Sequence, residues 1–218
     1  MTFRLRPLAS TDLDDILDVA RDPEIIRWTT IPSPYGQGDG SAFIEESATL
    51  AENDVEHRFA VCTADEPRIL GTIALRRHAN RPHIGEIGYW TAPWARRRGV
   101  ASGAVGLVVT FAWEGKSFAR LEAYVDPRNV SSRGVMSRAG FALEGTVHGL
   151  QISRSGDLQD MLLFGLVKPA GGRETGPPVL DDPSQAVRGR FVNVPISSDE
   201  MRQRARDDER VAEKRRHR

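Results

Sequence analysis

The chemically most telling side chains in this 218-residue chain stand in one short run, Arg96-Arg97-Arg98-Gly99-Val100-Ala101. A strand-like segment from Gly85 to Thr91 precedes it, a turn at Pro93 intervenes, and an apolar stretch with helical periodicity follows. The run therefore opens a helix, where the first backbone N–H groups lack intrahelical partners and the macrodipole adds positive potential. Such an end attracts an anion. Three guanidinium groups, and a glycine that lets a ligand approach the backbone, make that anion a phosphate or pyrophosphate. The small residues Ala101, Ser102 and Gly103 leave room for bulk beside the first turn. The Gly-Lys-Ser/Thr of a nucleoside triphosphatase is absent, and so is a Gly-x-Gly-x-x-Gly turn after a first strand. A solvated arginine-rich turn accounts for the hexapeptide alone equally well.

The elements that must position this run are legible on either side of it. TFRLRPL alternates as a strand and meets Ser10-Thr11-Asp12, an N-cap for the amphipathic helix LDDILDVAR. Asp22-Pro23 ends that helix. A short helix EIIRW, a turn-rich loop TTIPSPYGQGDG and a helix SAFIEESATLAEN come next. HRFAVCTA, RILGTIALRRH and HIGEIGYWTA then form a three-strand meander with turns at Asp65-Glu66-Pro67 and Asn80-Arg81-Pro82. The helix GVASGAVGLVVTFAWEG, the strand RLEAYVD, the short helix SSRGVMSRAG closed by Gly140, and the strands FALEGTVHG and LQDMLLFGLV complete the series. Antiparallel hairpins combined with a strand-helix-strand crossover require a mixed α/β sheet.

Composition narrows the function. With 39% hydrophobic and 28% charged residues, the chain has the make-up of one soluble domain with an appendage. Thirty Lys+Arg balance thirty Asp+Glu, so the broad positive field of a nucleic-acid binder is missing. No apolar run is long enough for a membrane span, and the charged N-terminus is not a signal peptide. The single cysteine, Cys62, reads as a small apolar strand residue and suits a reducing, cytoplasmic compartment. His57, His78, His83, His148 and His217 show no ligand spacing, so no metal is expected, although His83 or His148 suits an acceptor cleft. From Pro169 onward Gly, Pro and acid dominate, and Ser197 to Glu200 reads as a capping box for a charged helix. The boundary falls between a domain at 1–168 and a linker with a charged tail at 169–218.

Arg96, Gly99 and Ala101, spaced R-x-x-G-x-A between a strand and a helix, resemble the acetyl-CoA signature of the GNAT acyltransferase superfamily. A second block resembles that family's later half: RLEAYVDPRNVSSR from Arg120 to Arg133, with Arg138-Ala139-Gly140-Phe141 and Glu144-Gly145. Leu5-Arg6-Pro7-Leu8 and Asp22-Pro23-Glu24 extend the likeness to the branch of ribosomal-protein N-terminal alanine and serine acetyltransferases. The resemblance covers about residues 2 to 167. It implies a mainly antiparallel, twisted sheet of about seven strands with helices on both faces and a splayed central strand pair.

The resemblance also implies roles. Acetyl-CoA is the expected co-substrate, with its pyrophosphate on Arg96, Arg97, Arg98, Gly99, Val100 and Ala101. Its pantetheine arm is expected along the backbone of Tyr89, Trp90, Thr91 and Ala92, with Asn129, Ser132 and Arg133 alongside. Glu86 is the candidate base for a primary amine, and a purely structural strand carboxylate is the alternative. An N–H near Trp90 or Thr91 is expected to meet the oxyanion. The tyrosine that many relatives place four residues before the glycine of a Gly-Phe pair is Met136 here, so Ser132 becomes the candidate donor to the departing sulfur. Capping of the short helix by Ser131 or Ser132 explains those serines otherwise. Tyr35 lies in the loop expected to cover the acceptor. The implied activity is direct acetylation of an amine, a ribosomal or other protein N-terminus. A small-molecule amine, a larger acyl-CoA or a non-catalytic acyl-CoA adaptor are the alternatives, and the assembly is a monomer or homodimer.

Overall fold

The computed structural model describes residues 2–170. From residue 171 on, the expected linker and charged tail, with the expected Ser197 capping box, lie outside the described residues. Seven strands form one sheet: β1 (Arg4–Pro7), β2 (Glu56–Cys62), β3 (Gly71–Arg77), β4 (Ile84–Thr91), β5 (Arg120–Val125), β6 (Ala142–Ile152) and β7 (Leu158–Val167). Five helices accompany them: α1 (Leu13–Ala20), α2 (Pro23–Trp28), α3 (Gln37–Glu52), α4 (Val100–Gly115) and α5 (Val130–Arg138). The strand order is β1-β2-β3-β4-β5-β7-β6. Only β4 and β5 run parallel, because α4 crosses between them; every other neighbouring pair is antiparallel. The expected fold class is the observed one.

Side-chain alternation divides the sheet into two faces. Val61, Ile73, Leu75, Ile87, Leu121 and Ala123 turn to one, where α4 adds Val100, Ala104, Val105 and Val108 and α5 adds Val135 and Met136. On the other, Ala60 packs with Ile16 of α1 and Ile69, and Tyr35, Phe43, Ile44 and Trp90 close around them. Cys62 is buried, as its strand position suggests. No helix among the described residues is long and apolar enough to cross a membrane.

Two boundaries differ from expectation. Helix α3 starts at Gln37 inside the segment expected as a loop, because the Asp39 carboxylate accepts the Gly36 N–H at 2.9 Å and closes the first turn. Strand β3 starts at Gly71 because Arg68 and Ile69 are drawn to α1, where the Asp15 carboxylate accepts Arg68 Nε at 2.5 Å and the Ile69 N–H at 2.9 Å. Gly71 itself lies against β4; a Cβ there would stand 2.3 Å from the Trp90 carbonyl oxygen.

The feature that matters for function is where β4 and β5 separate. They pair at Ile84↔Arg120, Gly85↔Leu121 and Glu86↔Glu122 and no further. β4 nevertheless stays on β3 as far as Thr91, and β5 stays on β7 as far as Val125. A slot therefore opens through the sheet beyond Glu86 and Glu122.

Candidate active site

At the end of β4 a single 3₁₀ turn, Pro93–Ala95, leads to the arginine run. Arg97 and Gly99 take positive φ values of 61° and 79°, and Gly99 is the N-cap residue of α4. The Gly103 N–H is bonded to the Gly99 carbonyl at 2.9 Å, so the N–H groups of Val100, Ala101 and Ser102 precede the helical ladder and point outward. Nothing lies within 4 Å of where a Gly99 Cβ would be. This helix end is thus open.

The three arginines do not converge on it. Arg96 Nη2 lies 2.5 Å from Asp22 Oδ1, and the same carboxylate caps α2 by accepting the Glu24 and Ile25 N–H groups at 3.0 Å each. Burial alone would raise the Asp22 carboxyl, but the Arg96 guanidinium and the two amides hold it below the usual range. Arg98 pairs with Glu66, and its guanidinium holds that carboxyl below the usual range. Arg97 is exposed and forms no ion pair among the described residues. Of the expected trio, Arg97 is the cation left for a ligand.

Strand parity assigns the slot-facing backbone. The His83 carbonyl accepts the Ala119 N–H at 2.8 Å, toward β5, whereas the Ala92 N–H reaches the Leu70 carbonyl at 2.9 Å, toward β3. Alternation along the uninterrupted β4 register then turns the main-chain groups of Tyr89 and Thr91 to the slot and those of Trp90 to β3. Of the expected Tyr89–Ala92 contacts, Tyr89 and Thr91 are available, while Trp90 and Ala92 are engaged with the sheet.

Side chains of opposite character flank the slot. On the face of α4 and α5, the Tyr89 hydroxyl lies 2.8 Å from Ser132 Oγ, and burial pushes the Tyr89 phenol up to about 12 against the pull of that hydrogen bond. Neither Ser131 nor Ser132 caps α5. Asn129 does, its Oδ1 accepting the Ser132 N–H at 3.0 Å, which frees the serine hydroxyl for Tyr89. Arg133 is exposed and donates to the Pro127 carbonyl at 3.2 Å. Met136 is wholly buried in the core, so the position of the absent tyrosine is packing.

The other face is charged. Glu56, Arg76, Glu86 and Glu122 are successive register partners across β2, β3, β4 and β5, in the last row before the slot. Glu56 accepts Arg58 Nε and Arg76 Nε, each at 2.9 Å. Glu122, buried, accepts Arg120 Nε at 2.7 Å and the Tyr124 hydroxyl at 3.0 Å. Burial and the Glu122 charge raise the Tyr124 phenol, which stays neutral. Glu86 is half-buried within this row. Tyr35, half-buried, packs in the same cluster as Trp90 on this face. His83 immediately precedes β4, at the end remote from the slot, and the exposed His148 lies 2.7 Å from Asp160.

Sequence reasoning missed one further tie. Arg154, in the β6–β7 turn, donates to the carbonyls of Ile26, Thr29 and Ile31 at the C-terminus of α2 and beyond. With Asp22 held by Arg96, the α2 segment is fastened at both ends. A contact spanning more than 120 residues leaves no local signature.

A sequence profile of the acetyltransferase (GNAT) domain matches residues 2–142. The chain belongs to the GNAT acetyltransferase family. A relative from Bacillus subtilis (strain 168), "Probable N-acetyltransferase YjcK", is 29% identical over 176 residues, covering 77% of this chain and 95% of its own. Among solved structures, ribosomal-protein-S5-alanine acetyltransferase from Vibrio fischeri superposes with a TM-score of 0.68 at 20% identity, over 78% of this chain and 97% of that one. The microcin C7 self-immunity acetyltransferase MccE, in complex with acetyl-CoA and AMP, gives a TM-score of 0.68 at 20% identity, over 77% and 93%. The GNAT assignment makes the chain an N-acetyltransferase and the slot its candidate catalytic cleft.

Proposed function

We propose that this GNAT N-acetyltransferase transfers acetyl from acetyl-CoA directly to the α-amino group of a protein N-terminus. One observation carries the proposal: β4 and β5 part immediately beyond Glu86 and Glu122, opening a slot that leads to the bare N–H groups of α4. Acetyl-CoA fits these residues chemically. Val100, Ala101 and Ser102 N–H groups, with Arg97 and the open Gly99 beside them, would hold its pyrophosphate. Tyr89 and Thr91 would pair with its amide-bearing arm as a strand edge does, next to Asn129, Ser132 and Arg133. When bound it supplies an acetyl thioester.

The chain's own residues then divide the work. The slot-facing Thr91 N–H stabilises the negative charge that develops on the carbonyl oxygen. Glu86, on the opposite face of β4 from Ser132, takes the proton of the incoming ammonium, directly or through water. An α-amino group, with a pKa of about 8, is partly neutral near pH 7, whereas lysine at about 10.4 is not. Ser132 donates a hydrogen bond from its hydroxyl to the departing sulfur.

Likeness to the Vibrio fischeri enzyme supports the protein terminus as acceptor. The microcin C7 self-immunity enzyme, of equal TM-score, holds a small molecule, AMP, together with acetyl-CoA, and this supports a small-molecule amine as the second reading. Incubation with acetyl-CoA and panels of N-terminal peptides and small amines separates them, read by thiol release and the mass gain of one acetyl group. Turnover of peptides is expected; turnover of small amines alone would overturn the protein-terminus acceptor, and binding of acetyl-CoA without any turnover would favour an adaptor. The lone buried thiol of Cys62 is in keeping with a reducing, cytoplasmic setting.

A further inference from the structure

The hydroxyls of Tyr89 and Ser132, 2.8 Å apart, are not neighbours in one element. Tyr89 is on β4, three residues beyond its last pairing with β5, and Ser132 is in the first turn of α5, the helix that β5 leads into. Their hydrogen bond therefore bridges the two walls of the slot where the strands no longer touch. The Ser132 N–H is already taken by Asn129 Oδ1, so the serine is fixed at its backbone and its hydroxyl can turn only about the side chain.

A serine hydroxyl has one hydrogen. If Ser132 spends it on the Tyr89 oxygen, a departing sulfur finds no donor; if Tyr89 donates to Ser132, that hydrogen remains available. We propose that Tyr89 is a positioning residue for acetyl transfer: its hydroxyl donates to Ser132 Oγ and thereby turns the serine hydrogen toward the sulfur of the leaving CoA. This rests on Ser132 being the donor to sulfur. In the transfer the amine nitrogen bonds to the acetyl carbon, the C–S bond breaks, and its electron pair leaves on sulfur. Glu86, having passed the ammonium proton on to solvent, takes the second proton as the nitrogen becomes an amide, and the thiolate is later protonated by solvent. Neither hydroxyl loses its proton, because a phenol near 12 would have to give it up to a thiolate whose acid is stronger by about a thousandfold.

The test is the ionisation of bound CoA thiol, followed by the ultraviolet absorbance of the thiolate against pH in the unaltered enzyme and in Tyr89→Phe, Ser132→Ala and the double variant. Desulfo-CoA affinity and melting temperature serve as controls. The proposal expects the bound thiol to be more acidic than free CoA and Tyr89→Phe to move its pKa about one unit back, with desulfo-CoA affinity unchanged. It also expects kcat to fall about tenfold at constant KM for acetyl-CoA, and the double variant to match Ser132→Ala. A shift with Ser132→Ala but none with Tyr89→Phe overturns the positioning role and leaves Ser132 as donor. No shift with either removes Ser132 from the sulfur as well. Independent, additive losses, or a Tyr89→Phe loss of desulfo-CoA affinity or melting temperature, would make Tyr89 a structural residue and overturn the proposal; Tyr89→Trp, which keeps a donor but not its geometry, should fail to restore the thiol pKa.

Discussion

Glu86 occupies the last position at which β4 still has β5 beside it, and its neighbours in the row, Arg76 and Glu122, carry opposite charges. A carboxylate so placed can hold the sheet together by cross-strand pairing or accept a proton at the mouth of the slot. Kinetics separates the two. Glu86→Gln is expected to lower kcat about a hundredfold or more, most severely at low pH, where the acceptor amine is almost entirely protonated and needs the base. A uniform loss across the pH profile, accompanied by a lower melting temperature, would make Glu86 a strut. The sequence marks Glu86, Ser132 and Tyr89 as candidate site residues, yet it gives Tyr89 a backbone role only. The separation of 43 residues between Tyr89 and Ser132 explains the omission: periodicity reports which face a residue takes, not which distant side chain meets it.

At the scale of elements, strands and helices were legible because their periods are local, down to the crossover that makes β4 and β5 parallel. Segments rich in glycine were not. Gln37 to Gly40 looks like loop until Asp39 closes its cap, and the arginine run looks like one cationic cluster until tertiary partners divide it. That division yields a paired expectation. Arg96→Ala should cost about 1 kcal/mol of stability by releasing Asp22, leaving acetyl-CoA affinity nearly unchanged. Arg97→Ala should leave the melting temperature alone and weaken acetyl-CoA roughly threefold to tenfold, with an effect that shrinks as salt screens it. Calorimetric titration and thermal melts in parallel distinguish them, and the reverse pattern would return Arg96 to the phosphate. The second fastening, Arg154, holds the start of the segment that leads to Tyr35, which is expected to cover the acceptor. Arg154→Ala should speed amide hydrogen exchange over residues 29–36 and raise KM for the amine without altering KM for acetyl-CoA; unchanged exchange there would show that the turn does not restrain the segment after α2.

Over the whole molecule, the ion pairs set a pH window for stability. Burial alone would raise Glu56, but Arg58 and Arg76 hold it below the usual carboxylate range. Asp126 is lowered by Arg128, and Asp54, despite burial, by His57, Lys116 and Arg77. Each carboxylate binds its proton less readily when folded than when unfolded, so its contribution is complete above the unfolded value of about 4 and disappears as pH falls through the depressed one. Tyr89 runs the other way: its raised phenol keeps a proton that the unfolded chain releases near pH 10, so its contribution is lost from about pH 10 to about pH 12. Melting temperature should therefore hold a plateau from about pH 5 to about pH 10, with an acid edge that Glu56→Gln reduces. A steady decline across neutral pH would mean that other groups govern stability.

The strand order carries one more consequence, for the sequence in which the molecule assembles. β1 excepted, the first wall of the slot belongs to a meander of consecutive strands, β2 to β4, which can form from near neighbours. The second wall, β5, has only a short hold on β4 and finds its full-length partner in β7, made some 40 residues later. A growing chain that has reached α5 already owns the arginine turn, the bare N–H groups of α4 and the hydroxyls of Tyr89 and Ser132, but three β4–β5 register pairs and one side-chain hydrogen bond are all that join its two walls. The second wall gains its full-length partner only when β7 takes its place between β5 and β6, so affinity for acetyl-CoA should be among the last properties a refolding chain regains.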